Sequence, residues 1–138
     1  MAKGFSETVE AWADKQKAAM LDTFKEAFIE IGERVIDRTP IDTGQAQGSW
    51  VAAKNEIASG PAPHRDPETA KAKLRLVADS LTLGDMASLA SNLEYIRVLE
   101  YGRSDQAPAG MVRLTVQQWE QIASEAAAKA RAKHGGQN

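Results

Sequence analysis

An apolar periodicity that runs from about Ser6 to Arg38 and stops at a proline is the strongest constraint on how this chain can fold. Phe5, Val9, Trp12, Ala13, Met20, Phe24, Ala27, Phe28, Ile31 and Val35 fall on one broad face at about 100° per residue, the pattern of an amphipathic helix. Ser6 is a suitable N-cap, because its hydroxyl can accept from an unpaired amide of the first turn. Pro40 disfavours helical geometry at Thr39, so the helix is predicted to end near Arg38. Gly32 weakens its interior by about 1 kcal/mol relative to alanine without breaking it. A helix of ~30 residues spans ~45 Å, more than a compact domain of this size needs, so it is expected to protrude or bend. Ala11, Ala18, Ile29 and Ile36 fall on its far side. They are either a second contact stripe for another subunit or the scattered apolar residues that any surface carries.

Beyond Pro40 the elements shorten. Gly48 to about Ala58 reads as extended, through Trp50, Val51 and Ile57. The run from Ser59 to Pro67 holds three prolines and a glycine, which sustain neither helix nor ladder, so a flexible loop is predicted at about 59–67. A second helix is predicted from Glu68 to about Leu81 through Ala70, Leu74, Val77, Ala78 and Leu81, with Asp66 as its cap. Gly84 and Asp85 make a turn, and Met86 to Ser91 fits a short strand. The last helix runs from Met111 to about Lys133, with Val112, Val116, Trp119, Ala123, Ala126, Ala127 and Ala130 sharing a face. Glu125 and Lys129 form a favourable i,i+4 pair there, and Gly135-Gly136 ends the helix, leaving a disordered tail from about 134. Repeats and a second domain are absent from the pattern, so residues 1–138 are read as one domain.

Composition narrows the function classes. Seventeen basic against nineteen acidic residues give a net charge of −2, so no overall positive field draws the chain to nucleic acid. The absence of cysteine excludes disulfides and thiolate metal sites. No apolar run approaches the ~20 residues of a membrane span, and the first residues lack the apolar core of a signal peptide. A soluble, unsecreted protein is expected.

Two short signatures remain: Arg38-Thr39-Pro40-Ile41-Asp42-Thr43-Gly44, leading to Gly48-Ser49-Trp50, and Asn92 to Gly102, continuing into Ser104, Gln106, Ala107-Pro108 and Gly110-Met111-Val112. Asp42-Thr43-Gly44 matches the active-site tripeptide of aspartic proteases, where two copies share a proton, and a homodimer could supply the second. Those enzymes are nearly all strand, whereas this tripeptide follows a long helix. Turn chemistry accounts for it better: Pro40 fixes the exit, the Asp42 carboxylate reaches amides two residues on, and Gly44 supplies a positive φ. Glu94, Glu100, Arg103 and Asp105 lack a neighbouring histidine and read as solvated or intersubunit ion pairs. His64 and His134 have no metal-ligand spacing. Neither a catalytic residue nor a cofactor or metal is expected. Tyr95, Leu99 and Tyr101 form a short helical segment that Gly102 terminates.

In order, spacing and context, Thr39 to Gly44 with Ser49-Trp50, then Asn92, Tyr95, Leu99 to Gly102, Ser104, Gln106 to Pro108 and Gly110 to Arg113 resemble a known family. These are the small tail-component proteins of long-tailed bacteriophages, called neck, tail-completion or head-tail connector proteins. The likeness covers about residues 30 to 125. Glu94 departs from it where proline is common, and Ile96 where a small residue is usual. The resemblance implies an α+β fold: a long N-terminal helix, a small, mostly antiparallel sheet, and a C-terminal helix packed on it. It further implies a structural virion protein without enzymatic activity, a hexameric ring that completes the tail tube at its head-proximal end and joins it to the head connector. Its partners would be its own copies, the tail tube protein and a head-closure or connector protein, with no membrane and no specific nucleic-acid binding, although the genome would pass through the lumen. It would be assembled in the bacterial cytoplasm and end at the head-tail junction of the virion. A different head-closure or minor tail component is the alternative. On this reading Arg103, Ser104, Asp105, Gln106, Ala107, Pro108, Met111, Ile29 and Ile36 meet a neighbouring subunit or partner, with Arg103 and Asp105 pairing across subunits and the proline-rich loop contributing. Pro40, Asp42, Gly44, Trp50, Tyr95, Glu100 and Gly102 build the turns.

Overall fold

The computed structural model describes residues 4–40, 45–93, 96 and 111–134. Its elements in chain order are α1 (Phe5–Arg38), α2 (Gln45–Gly48), β1 (Trp50–Lys54), α3 (Pro67–Asp79), β2 (Ala87–Ser91), α4 (Met111–Gln117) and α5 (Trp119–Lys133). The architecture is α+β, with a long N-terminal helix, a two-stranded antiparallel sheet and a C-terminal helical segment that closes the same core.

Helix α1 runs for 34 residues and begins one residue before Ser6. Gly4 is its N-cap, with no side-chain capping bond, so Ser6 is inside the first turn and cannot cap. The other end is as Pro40 dictates. Thr39 takes the extended values φ −69° and ψ 128°, while its amide still bonds the Val35 carbonyl at 3.1 Å.

The predicted stripe of α1 is buried only towards its C-terminal end, where Val35 is in the core and Phe28 packs against it. Gly32, Val35 and Ile36 are buried, whereas Phe5, Val9, Trp12 and Met20 are exposed. Ile36, expected on an outer face available to another subunit, is 0% exposed and belongs to the chain's own core with Val35, Trp50, Ala52, Ala70 and Leu74. Phe28, Val77, Leu89, Ile96 and Val112 pack against that cluster. The reason lies at Gly32. A Cβ there would stand 2.5 Å from Leu74 Cδ2, so the missing side chain is the notch into which α3 settles, and α3 turns the Ile36 side of α1 inward. Ile29 is half-buried on the same side.

Strands β1 and β2 pair from Trp50 opposite Ser91 to Lys54 opposite Ala87. The extended segment is shorter than expected at both ends. Gly48 closes the short helix α2, and Asn55, at φ 61°, leaves the strand in the left-handed region that asparagine tolerates. Helix α3 starts as predicted at its cap: Asp66 accepts the Thr69 amide at 2.9 Å, and Pro67 occupies the first turn, where no amide hydrogen is needed. Gly84 turns the chain at φ +97° ahead of β2.

The C-terminal helix is broken at Gln118, and its predicted face is buried in part: Ala126 and Ala130 are inside and Val112 packs against the core. Thr115, Ile122, Ala126 and Ala130 are buried, while Val116 and Trp119, predicted inside, are exposed. Opposite Thr115 and Gln118, α1 presents Arg34 and Arg38, so these two polar residues turn towards it, while further along α5 the buried face is apolar, through Ile122, Ala126 and Ala130.

Candidate interaction surfaces and loop cavity

The first signature builds a locked corner. Thr39 Oγ1 donates to the Val35 carbonyl at 2.7 Å and accepts from Trp50 Nε1 at 2.9 Å, all of it buried. Pro40 is buried beside it. One hydroxyl thus joins the last turn of α1 to the first residue of β1. Ser49 continues the corner: its Oγ donates to the Ala46 carbonyl at 2.6 Å and lies 2.7 Å from Ser91 Oγ across the sheet.

The proline-rich loop is tied to this corner at several points. Asn92 Nδ2 donates to the carbonyls of Ala58 and Gly60 at 3.1 and 3.0 Å. His64 Nδ1 lies 2.8 Å from the Gly48 carbonyl. A carbonyl only accepts, so Nδ1 carries the hydrogen, and in the neutral ring Nε2 holds the lone pair. That Nε2 is buried without a hydrogen-bond partner among the described residues. Gly48 is required here because a Cβ would come within 2.2 Å of the Arg65 carbonyl group. Between loop and corner is a cavity of about 330 Å³, lined by Ser49, Gly60, Pro61, Ala62, His64, Arg65, Asn92 and Leu93. Of its polar side chains, Ser49 and Asn92 are hydrogen-bonded, whereas His64 Nε2 is left without a partner among the described residues.

A charged clasp joins α1 to the C-terminal helices. Gln118 Oε1 accepts from Arg34 at 2.8 Å and from Arg38 at 2.7 Å, and Arg38 also donates to Thr115 Oγ1 at 3.0 Å. Glu30 holds Arg34 at 2.7 Å. Near the far end of α5, Asp22 takes Lys133 at 3.2 Å and His134 through a short Nε2 contact. The His134 hydrogen bond, followed by Lys133, holds the Asp22 carboxyl below the ordinary carboxylate range. His134 is therefore part of the folded structure rather than of a loose tail. On the α3 side, Lys71 meets Asp37 at 2.5 Å, which raises the lysine pKa, and Arg75 meets Glu33 at 2.7 Å.

Asp42, Gly44, Tyr95, Glu94, Glu100, Gly102, Arg103, Ser104, Asp105, Gln106, Ala107 and Pro108 lie outside the described residues, as does the side chain of Met111. The residues that sequence reasoning missed are Arg34, Arg38 and Gln118. Their signal was the i,i+4 arginine pair with Glu30 one turn before it, a charged row too regular for an unpartnered face. Among the described residues no group of three or more His, Cys, Asp or Glu side chains is placed to hold a metal ion, and no helix is long and apolar enough to cross a membrane. Comparison of the chain with protein-family models, curated proteins and solved structures finds no match.

Proposed function

We propose that this chain is a structural subunit of a long-tailed bacteriophage particle. It forms a ring at the head-proximal end of the tail, completes the tail tube and joins it to the head connector. The observation that carries the reading is the use made of the first signature: Thr39, Pro40, Ser49 and Trp50 are spent on a buried corner that fixes α1 against the sheet. Residues so employed hold a shape, and a virion component needs a shape presented repeatedly around an axis. A closed ring satisfies each heterologous contact with the next subunit and leaves the growing tube no matching surface. The segment from Gly102 to Met111 and the proline-rich loop supply the lateral contacts in this reading, with the genome passing through the lumen.

The test is electron microscopy of particles produced without the protein, together with the mass and symmetry of the purified chain with and without tail tubes. Overlong or unattached tails are expected, with the protein recovered as a ring on tube ends. Leaking heads with normal tails would instead assign a head-closure role. A single copy per particle would overturn the ring.

A further inference from the structure

Strand β2 is an open edge. Among the described residues no third strand joins the sheet, and every residue of β2 is part-exposed. The direction of its free backbone groups follows from the ladder. The Asn55 amide donates to the Met86 carbonyl at 2.7 Å, and hydrogen-bonding positions recur at every second residue of an antiparallel pair. In the observed register the next ones are Ala53 with Ser88 and Val51 with Ala90. The N–H and C=O groups of Ala87, Leu89 and Ser91 therefore point away from β1, and no hydrogen bond among the described residues reaches them. Edge strands are ordinarily guarded by a lysine, a proline, a bulge or a covering element. Strand β1 ends in Lys54, but the run Ala87-Ser88-Leu89-Ala90-Ser91 carries no such guard.

The register also says what fits this edge. A second copy related by a two-fold axis at Leu89 sets Leu89 opposite its own counterpart and each Ala87 opposite the copy's Ser91. Every outward N–H then meets an outward C=O. Ser88 stands opposite the copy's Ala90, and since no residue of the strand is charged, no like charges face each other. Asp85, just ahead of the strand, is already held by Asn55 and Thr82. Helix α3 and the loop before it crowd β1 instead: Ala70 and Leu74 share the core with Trp50 and Ala52, and backbone of Arg65 and Asp66 stands beside Gly48. The sheet is thus left to grow beyond β2, where one more copy completes it. We propose that β2 pairs antiparallel with β2 of a second copy of this chain, about a two-fold axis at Leu89, to give a continuous sheet of order β1-β2-β2-β1. The contact is isologous and closes at two copies. It uses none of the residues that the ring reading assigns to subunit contacts, so the two stand or fall separately.

Amide exchange on the intact chain, with sedimentation to define the dimer range, reads this pairing directly. Ser88 and Ala90 amides bond β1 and are expected to stay protected at every concentration, whereas those of Ala87, Leu89 and Ser91 gain protection only as dimer forms. Protection of Leu89 in the monomer means that the edge is covered within one chain and overturns the proposal. A chain that stays monomeric throughout, or a dimer whose Leu89 amide exchanges freely, overturns it as well. The register is checked by disulfides, since the chain has no cysteine of its own. Ser88→Cys and Ala90→Cys chains, when mixed, bring unlike positions to about 4.5 Å between Cα atoms and keep like positions diagonal. Mild oxidation is expected to link unlike chains in preference to like ones, and equal linkage or none counts against the pair. Ala87→Pro removes an outward N–H and no ladder bond. It is expected to weaken dimerisation on the order of tenfold with the monomer's urea midpoint nearly unchanged, and undiminished dimerisation of the folded variant rules the β2 pair out.

Discussion

Thr39 is the residue on which the two halves of the described core are hinged, because one side-chain oxygen serves both α1 and Trp50. A buried indole N–H has no substitute for that acceptor. Thr39→Val keeps the volume and removes both bonds. It is expected to destabilise the chain by about 1–3 kcal/mol in urea unfolding, with Trp50→Phe costing less. The double mutant should fall short of the sum, since the two changes remove one shared bond. Gly48 makes the opposite demand, for space rather than for a partner. A methyl at that site meets backbone of Arg65 and Asp66, which cannot swing aside as a side chain can. Gly48→Ala is expected to cost about 1–3 kcal/mol and to detach the His64 loop, whereas Gly4→Ala, with nothing near its Cβ, should be close to neutral. Thermal unfolding and the His64 ring resonances would read the two effects separately.

At the scale of elements, the docking of α5 on α1 is held at its far end by Asp22, and its acid sensitivity follows from the sign of that pKa shift. The folded chain holds the Asp22 carboxyl below its ordinary range, so it binds that proton less readily than the unfolded chain does. The contact therefore contributes in full above the ordinary aspartate value and is lost as pH falls through the depressed folded value. Asp22→Asn should lower stability at neutral pH and flatten the acid limb of a urea-midpoint profile, with faster amide exchange confined to the end of α5. The limits of sequence reading show in the same elements. Local signals placed the end of α1 at Pro40, the Asp66 cap of α3 and the Gly84 turn, since each depends on residues a few positions apart. Periodicity on α1 and on the C-terminal segment ranked faces by hydrophobicity and so missed two long-range facts. Leu74 fills a glycine notch beside Ile36, and Gln118 turns inward because Arg34 and Arg38 await it from α1. Neither partner is visible from within the helix that it orients. Of the candidate site, the exit of α1 at Pro40 was legible, whereas the bond from Trp50 to Thr39 and the docking of His134 on Asp22, each between residues of different elements, were not.

The whole molecule is a compact body with an arm, and the two differ in what keeps them helical. Below Asp22 the helix is fixed by α3, α5 and the sheet. Above it, the arm leans on its own backbone bonds and on continuity with the anchored part, and a free helix of that length is marginal in water. Its apolar residues gain nothing from the chain's own core, since Phe5, Trp12 and Met20 remain largely in solvent. Two consequences separate body from arm. Deleting residues up to Lys15 should leave the urea midpoint of the body nearly unchanged, because no described core residue is lost. In the intact chain, amides of Phe5 to Gln16 should exchange rapidly, while those of Gly32 to Arg38 stay protected. Protection of the arm in dilute solution would mean that it is already covered within one chain, and a drop in body stability on deletion would mean that the arm belongs to the core.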